Sequence, residues 1–364
     1  MLINLVILFF VFLPKCLFIN NRKTSKSIVI LNDDITTAYS DIECSKDIYF
    51  IFVRQLYKAC FKTTKEKDVA NDIFIQKKEN NVWVTTEQLK TEKTYKDILS
   101  FHIFVDIYQV LIIECLLENQ ENDNNTGQQP YQCFRWSSKT GSSYNSKTIN
   151  NIPFDFLNNN NIFYYATEPI LIRDQPILLV CGFNNNSKQT DQTDKFVSCI
   201  ASLDEGENWK EEMSVIYKNM DPQSTYYSLA AHVYQNILGF YFYTPVDVND
   251  ETQGGNYIEC EYSEPNTFNC EKLELSKNGR TLIDITKLSG HYIGGYANVN
   301  NPTECYIYYT DKNAIILHSP QKTYNMIGCY RGMFAKIDER NALFIYLSSN
   351  QVYNIHSLQY IIFD

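Results

Sequence analysis

Residues 202–209 read Ser202-Leu203-Asp204-Glu205-Gly206-Glu207-Asn208-Trp209, and the fold follows from these eight positions and what surrounds them. Ser and Asp side chains hydrogen-bond backbone N–H groups of a tight turn, and Gly supplies a residue with φ > 0. A Trp three residues on packs its ring beneath the hairpin. Just upstream, PILLVCGFNN and FVSCIASLDEGENW form two apolar, cysteine-bearing runs separated by an Asn/Asp/Gln-rich stretch. Such runs read as paired strands joined by a polar loop.

The same pattern occurs earlier in the chain. VLIIECLLEN and YQCFRWSSKTGSSY carry Cys115 and Cys133, an offset of 66 residues from Cys181 and 65 from Gly141 to Gly206. A fainter third copy runs through NYIECEYSEPNTFNCEKLELSKNG, and a fourth, with Cys305, through ECYIYYTDKNAIIL. DIFIQKKENNVWVT, around Trp83, reads as a matching outer hairpin. Repeats of a few short strands at this period predict propeller blades, about six of them in a chain of this length.

Ser202, Asp204, Gly206 and Trp209 fit Ser-x-Asp-x-Gly-x-x-Trp at every defined position, so the turn resembles the Asp-box of sialidase-type propellers. The expected fold is therefore an all-β, six-bladed, sialidase-like β-propeller over residues 25–364 as one domain. ALFIYLSS and VYNIHSLQYIIF supply strands for a last blade, and Ser27-Ile28-Val29-Ile30-Leu31 is placed to complete it. Joining the two termini in one sheet removes exposed edges.

Eleven cysteines punctuate the chain, with Cys16 inside an apolar N-terminal run. Residues 1–24, with Leu2 to Leu13 almost wholly apolar, read as a secretory signal peptide, too short to span a bilayer as a mature helix. Removing it leaves Cys44, Cys60, Cys115, Cys133, Cys181, Cys199, Cys260, Cys270, Cys305 and Cys329, an even number suited to an oxidising compartment. Gaps of 16, 18, 18, 10 and 24 residues alternate with gaps of 55, 48, 61 and 35. The alternation favours pairing of sequence neighbours, 44–60, 115–133, 181–199, 260–270 and 305–329, although spacing alone leaves other connectivities open. None of these spacings resembles the CxxC pairs of a zinc site.

The formal net charge is −10 and no Lys/Arg block stands out, which argues against nucleic acid as a partner. No second apolar span of membrane length follows the N-terminal run, so no direct membrane span is expected. Asn124 and Asn185 are formal glycosylation acceptors within loops between paired cysteines, and Pro302 excludes Asn301.

Sialidases clamp a substrate carboxylate with three Arg and use a Tyr–Glu pair as nucleophile. Only seven Arg exist here, Arg22, Arg54, Arg135, Arg173, Arg280, Arg331 and Arg340. The Arg-Ile-Pro motif is absent; its nearest stretch, Phe52-Val53-Arg54-Gln55-Leu56, lacks the Pro. Arg135 and Arg173 read as surface or blade-packing residues. The five His are scattered without metal-binding spacing, and neither a dinucleotide fingerprint nor a P-loop occurs. No catalytic, cofactor-binding or metal-ligating residues are expected, and no cofactor.

FAKIDERNALFIYLSSNQVYNIHSLQY, CYRGMFAKID after Cys329, SCIASLDEGENWK and the ten-cysteine layout resemble the cysteine-rich protective antigens of malaria parasites. The resemblance implies a six-bladed propeller with one disulfide in each of five blades and no sialidase activity. It also implies release from apical secretory organelles (micronemes) to the merozoite surface. There the family acts in red-cell invasion, bridging a reticulocyte-binding-family ligand and a large EGF-rich interacting protein. A lectin-like module that binds host sialoglycans without cleaving them is the alternative.

Overall fold

The computed structural model describes residues 25–31, 39–40, 42, 44, 46–62, 72–80, 82–118, 130–162, 164–172, 174–184, 196–209, 214–217, 227–234, 237–243, 256–263, 267–274, 280–289, 291–298, 305–309, 321–322, 331–347 and 353–363. The expected signal peptide, residues 1–24, lies outside them. Six sheets of four or five strands make a six-bladed propeller.

Chain order shows how the ring closes. Strand β1 (Ser25–Leu31) is set aside for the last blade. Blade 1 contains β2 (Tyr39–Ser40), β3 (Lys46–Phe52), β4 (Gln55–Lys62), β5 (Asp72–Glu79) and β6 (Val82–Leu89). Blade 2 follows with β7 (Tyr95–Val105), β8 (Val110–Glu118), β9 (Tyr131–Ser138) and β10 (Asn145–Thr148). A six-residue helix, α1 (Phe154–Asn159), then buries Phe156 and Leu157, a helical insertion that the strand pattern did not announce. Blade 3 holds β11 (Asn160–Ile162), β13 (Ile170–Ile172), β14 (Gln175–Asn184), β15 (Phe196–Ser202) and β16 (Ser214–Tyr217). Between them, β12 (Tyr165–Thr167) pairs in parallel with β7, tying blade 3 to blade 2.

Blade 4 is β17 (Tyr227–Tyr234), β18 (Ile237–Tyr243), β19 (Asn256–Ser263) and β20 (Thr267–Glu274). Blade 5 is β21 (Arg280–Leu288), β22 (His291–Asn298), β23 (Cys305–Tyr309) and β24 (Gln321–Lys322). Blade 6 is β25 (Arg331–Lys336), β26 (Asn341–Leu347) and β27 (Tyr353–Phe363), with β1 outermost and antiparallel to β27 from Ser25↔Phe363 to Leu31↔Ser357.

The core lies in the seams between blades, because each sheet is covered on both faces. One cluster joins blades 1 and 2 through Phe50, Phe61, Phe101, Ile112 and Trp136. A second joins blades 2 and 3 through Phe104, Ile113, Leu178, Val180 and Trp209. A third joins blades 6 and 1 through Tyr49, Leu56, Trp83, Ala335 and Ile345. Burial on both faces explains why β8 reads as a nearly unbroken apolar run rather than an alternating one.

The innermost strands β3, β7, β12, β17, β21 and β25 are successive neighbours around the axis. All run the same way, so the ends of the blades separate into two faces. First-to-second and third-to-fourth strand turns share one face, the short-turn face, with turns such as 53–54, 106–109 and 337–340. At the other, the loop face, second strands end and third strands begin, as at Lys62 and Asp72, Glu118 and Tyr131, Asn184 and Phe196, and Tyr243 and Asn256.

Candidate functional site

The Asp-box turn joins β15 to β16 on the short-turn face. Gly206 N–H donates to Ser202 Oγ at 2.9 Å, and Ser202 Oγ donates to Asp204 Oδ1 at 2.8 Å. Asn208 N–H donates to Asp204 Oδ1 at 2.9 Å, and its side-chain amide to Oδ2 at 2.6 Å. Desolvation pushes the Asp204 carboxyl up, but these hydrogen bonds outweigh it and hold the pKa below the ordinary value. Gly206 has φ 86° and Trp209 is buried in the blade 2–3 seam. All four Asp-box residues therefore meet in one turn, and every bond they make is structural.

A degenerate copy sits at the same place in blade 2. Gly141 has φ 73° and donates to Ser138 Oγ at 2.8 Å. Each glycine faces the preceding blade. A Cβ on Gly141 would stand 2.9 Å from the Tyr57 ring, and one on Gly206 2.6 Å from Ile113 Cδ1. The turn is thus a wedge that seats one blade on the last.

Polar bonds lock the same seam from outside. Arg135 of β9 donates from Nε to the Glu205 carbonyl and from Nη2 to its carboxylate, both at 2.8 Å. Lys147 reaches Glu207 at 2.7 Å, and Asn150 bonds Asn208. Arg135 is a blade-packing residue; Arg173 lies outside the described residues.

Among the described residues there are four disulfides, Cys44–Cys60, Cys115–Cys133, Cys181–Cys199 and Cys260–Cys270. Cys115 faces Cys133 across β8/β9, and Cys181 faces Cys199 across β14/β15, with Cα separations of 4.0 and 4.1 Å. Directly opposed residues on antiparallel neighbours are within reach of a bridge. Cys260–Cys270 joins β19 to β20, one strand further out, while Cys60 of β4 is bridged to Cys44, just before β3. The third sequence copy is therefore displaced by one strand relative to the first two. A cysteine-bearing hairpin looks alike at any position in a blade, so the alignment could not register it. Cys305 opens β23; Cys329, and with it the expected 305–329 bridge, lies outside the described residues.

Other buried polar groups escaped the sequence reading. Lys58 Nζ lies 3.5 Å from Asp47 Oδ1, 3.7 Å from Cys44 Sγ and 4.9 Å from the Trp83 ring centre. Burial above all lowers the Lys58 pKa, and Asp47 opposes the shift. Cys44, Asp47 and Cys60 place ligand atoms within 4.8 Å of one another, but the two sulfurs are bonded to each other. That leaves no thiolate to ligate a metal. Glu114, a lone carboxylate within the apolar β8 run, accepts from Trp136 Nε1 at 2.9 Å, and burial raises its pKa to about 7. Its solitary charge in VLIIECLLE was the available signal. His102 is fully buried against Tyr165, and desolvation holds its pKa down to about 3.

Among the described residues, the arginines other than Arg135 fall at both ends of the inner strands. Arg54 sits in the turn at the far end of β3, whereas Arg280 and Arg331 open β21 and β25 at the opposite ends of inner strands. Arg340 is in the β25–β26 turn, and Arg22 lies outside the described residues.

The sequence model described as the Cysteine-Rich Protective Antigen six-bladed domain matches residues 35–355. The chain belongs to the cysteine-rich protective antigen family. No curated protein sequence matches the chain. Solved structures share the fold at low identity. A protein of unknown function from Dyadobacter fermentans has a TM-score of 0.57 at 10% identity, covering 92% of this chain and 99% of its own. The haemagglutinin-neuraminidase ectodomain of parainfluenza virus 5 has a TM-score of 0.55 at 9% identity, covering 93% and 85%. Trypanosoma rangeli sialidase has a TM-score of 0.50 at 10% identity, and the alignment covers 93% of this chain but 60% of the sialidase. Family and neighbours together make this a sialidase-like propeller. Among the described residues no helix is long and apolar enough to cross a membrane.

Proposed function

We propose that the chain is a secreted, non-catalytic adaptor of a merozoite adhesin complex. In this reading it leaves the micronemes for the merozoite surface and bridges a reticulocyte-binding-family ligand and an EGF-rich interacting protein. The family match across residues 35–355 carries the proposal. The Asp-box supports it, since its polar atoms are spent on the turn and on the neighbouring blade. Co-purification from invading parasites, with partners identified by mass, tests the adaptor reading. Recovery of no protein partner, with binding on a glycan array, would replace it with a lectin. Turnover of a fluorogenic sialoside above background would show an enzyme instead.

A further inference from the structure

The exposed large apolar side chains of the described residues are not spread evenly. Val53, Ile107, Tyr108, Leu171 and Ile337 stand in or beside first-to-second strand turns of blades 1, 2, 3 and 6, and Leu203 stands in the Asp-box turn, whereas Val82 and Val84 lie on the outer strand β6 of blade 1. All these turns open on the short-turn face, and the four blades are consecutive around the ring. Neighbouring turns interact across the blades: Arg54 of blade 1 lies near enough to Asp338 of blade 6 to help lower its pKa.

Two features separate these side chains from incidental exposure. Val53 has φ 50° and is 75% exposed. A β-branched residue is a poor occupant of that region, and here it also gains no burial in return. In blade 2, Asp106 Oδ1 accepts from the N–H groups of Tyr108 at 2.6 Å and Gln109 at 2.7 Å. Asp338 holds the blade 6 turn identically, accepting from Arg340 at 2.7 Å and Asn341 at 2.8 Å. Aspartate fixes both turns, and the Glu339 carbonyl also accepts from Ser289 of blade 5, while the side chains at the two tip positions stand exposed. Blade 6 fills them with Glu339 and Arg340, while blade 2 fills them with Ile107 and Tyr108, 80% and 76% exposed. Rigid apolar tips cost little entropy to dock.

The charges beside the tips select the partner. Among the described residues of these turns, exposed Asp174, Asp204, Asp338 and Glu339 outnumber exposed Arg54 and Arg340. Acidity repels an anionic lipid surface and a second copy of the same face, and it complements a basic rim. We propose, building on the adaptor reading, that the short-turn face of blades 6, 1, 2 and 3 docks a protein partner. That partner presents an apolar cleft flanked by Lys and Arg.

The test transplants the blade 6 tip into blade 2 as I107E/Y108R, with V53G as a second variant that relieves the backbone. Each protein recovered in the co-purification, produced recombinantly, is titrated against both variants by surface plasmon resonance. The proposal expects affinity for one partner to fall about tenfold or more in I107E/Y108R and to weaken in V53G, with melting temperature held or raised. Wild-type affinity for that partner also falls as salt rises from roughly 0.05 to 0.5 M. Unchanged affinity in both variants, with binding lost instead when 121–127 is replaced by Gly and Ser, overturns the surface and leaves the adaptor standing. Wild-type self-association or binding to anionic vesicles that I107E/Y108R abolishes overturns the partner class. A wild-type chain that binds none of the recovered proteins removes the adaptor reading and this surface with it.

Discussion

At the scale of single residues, Trp209 and Glu114 show opposite uses of burial. Trp209 is 8% exposed, and its indole nitrogen meets no acceptor among the described residues, so its contribution is ring packing in the blade 2–3 seam. Trp209→Ala is expected to cost about 3–5 kcal/mol in denaturant unfolding, and Trp209→Phe less than half of that. Glu114 behaves otherwise. Its carboxyl titrates at about 7 in the folded chain against an ordinary 4.5, so the native state holds a proton that the unfolded chain has released. Stability therefore falls as pH rises through that window, by up to ~3 kcal/mol at 1.36 kcal/mol per pH unit. Glu114→Gln stays neutral and still offers Trp136 an acceptor. Its unfolding free energy should match wild type near pH 4 and exceed it at pH 8. Equal pH slopes for the two proteins would show that Glu114 is not the group responsible.

At the scale of elements, the turn between third and fourth strands carries the joints. Gly206 combines φ 86° with a neighbour, Ile113 Cδ1, that a Cβ would strike at 2.6 Å. Gly206→Ala should lose about 2–4 kcal/mol from backbone strain and overpacking together. Adding Ile113→Val should recover part of the loss; strict additivity of the two changes would mean that the blades do not meet there. The bridge across β14/β15 closes an 18-residue separation. Replacing Cys181 and Cys199 together by Ala is expected to cost roughly 2–4 kcal/mol and to weaken conformational antibodies against blade 3. Calorimetry and antibody titration check both. The Asp-box residues were legible in the sequence because a turn is a local structure, with all its bonds inside eight residues. The partners of the turn, Arg135, Lys147 and Asn150, were not, since they lie about 60–70 residues away and meet it only across a seam.

At the scale of the molecule, the ring depends on one closure, the antiparallel pairing of β1 with β27. Beginning the chain after Leu31 exposes the edge of an eleven-residue strand ending Ile361-Ile362-Phe363. Unpaired edges template association. The truncated chain should melt lower than the chain beginning at Ser25 and sediment partly as oligomers. A monomer of unchanged melting temperature would mean that β26 and β25 suffice to hold blade 6.

The sequence by itself determined the class of fold, the number of blades and the Asp-box, because strand periodicity, turn chemistry and repeat spacing are properties of neighbouring residues. Only the tertiary structure decided which strand of each blade carries a bridge and which side chains form the seams. Hairpins look alike wherever they stand in a sheet, and position within a blade is set by contacts between blades. The apolar tips are a case of the same rule. In a chain rich in Tyr and Ile no motif marks Val53, Ile107 and Tyr108, and only their place at the ends of strands exposes them together on one face.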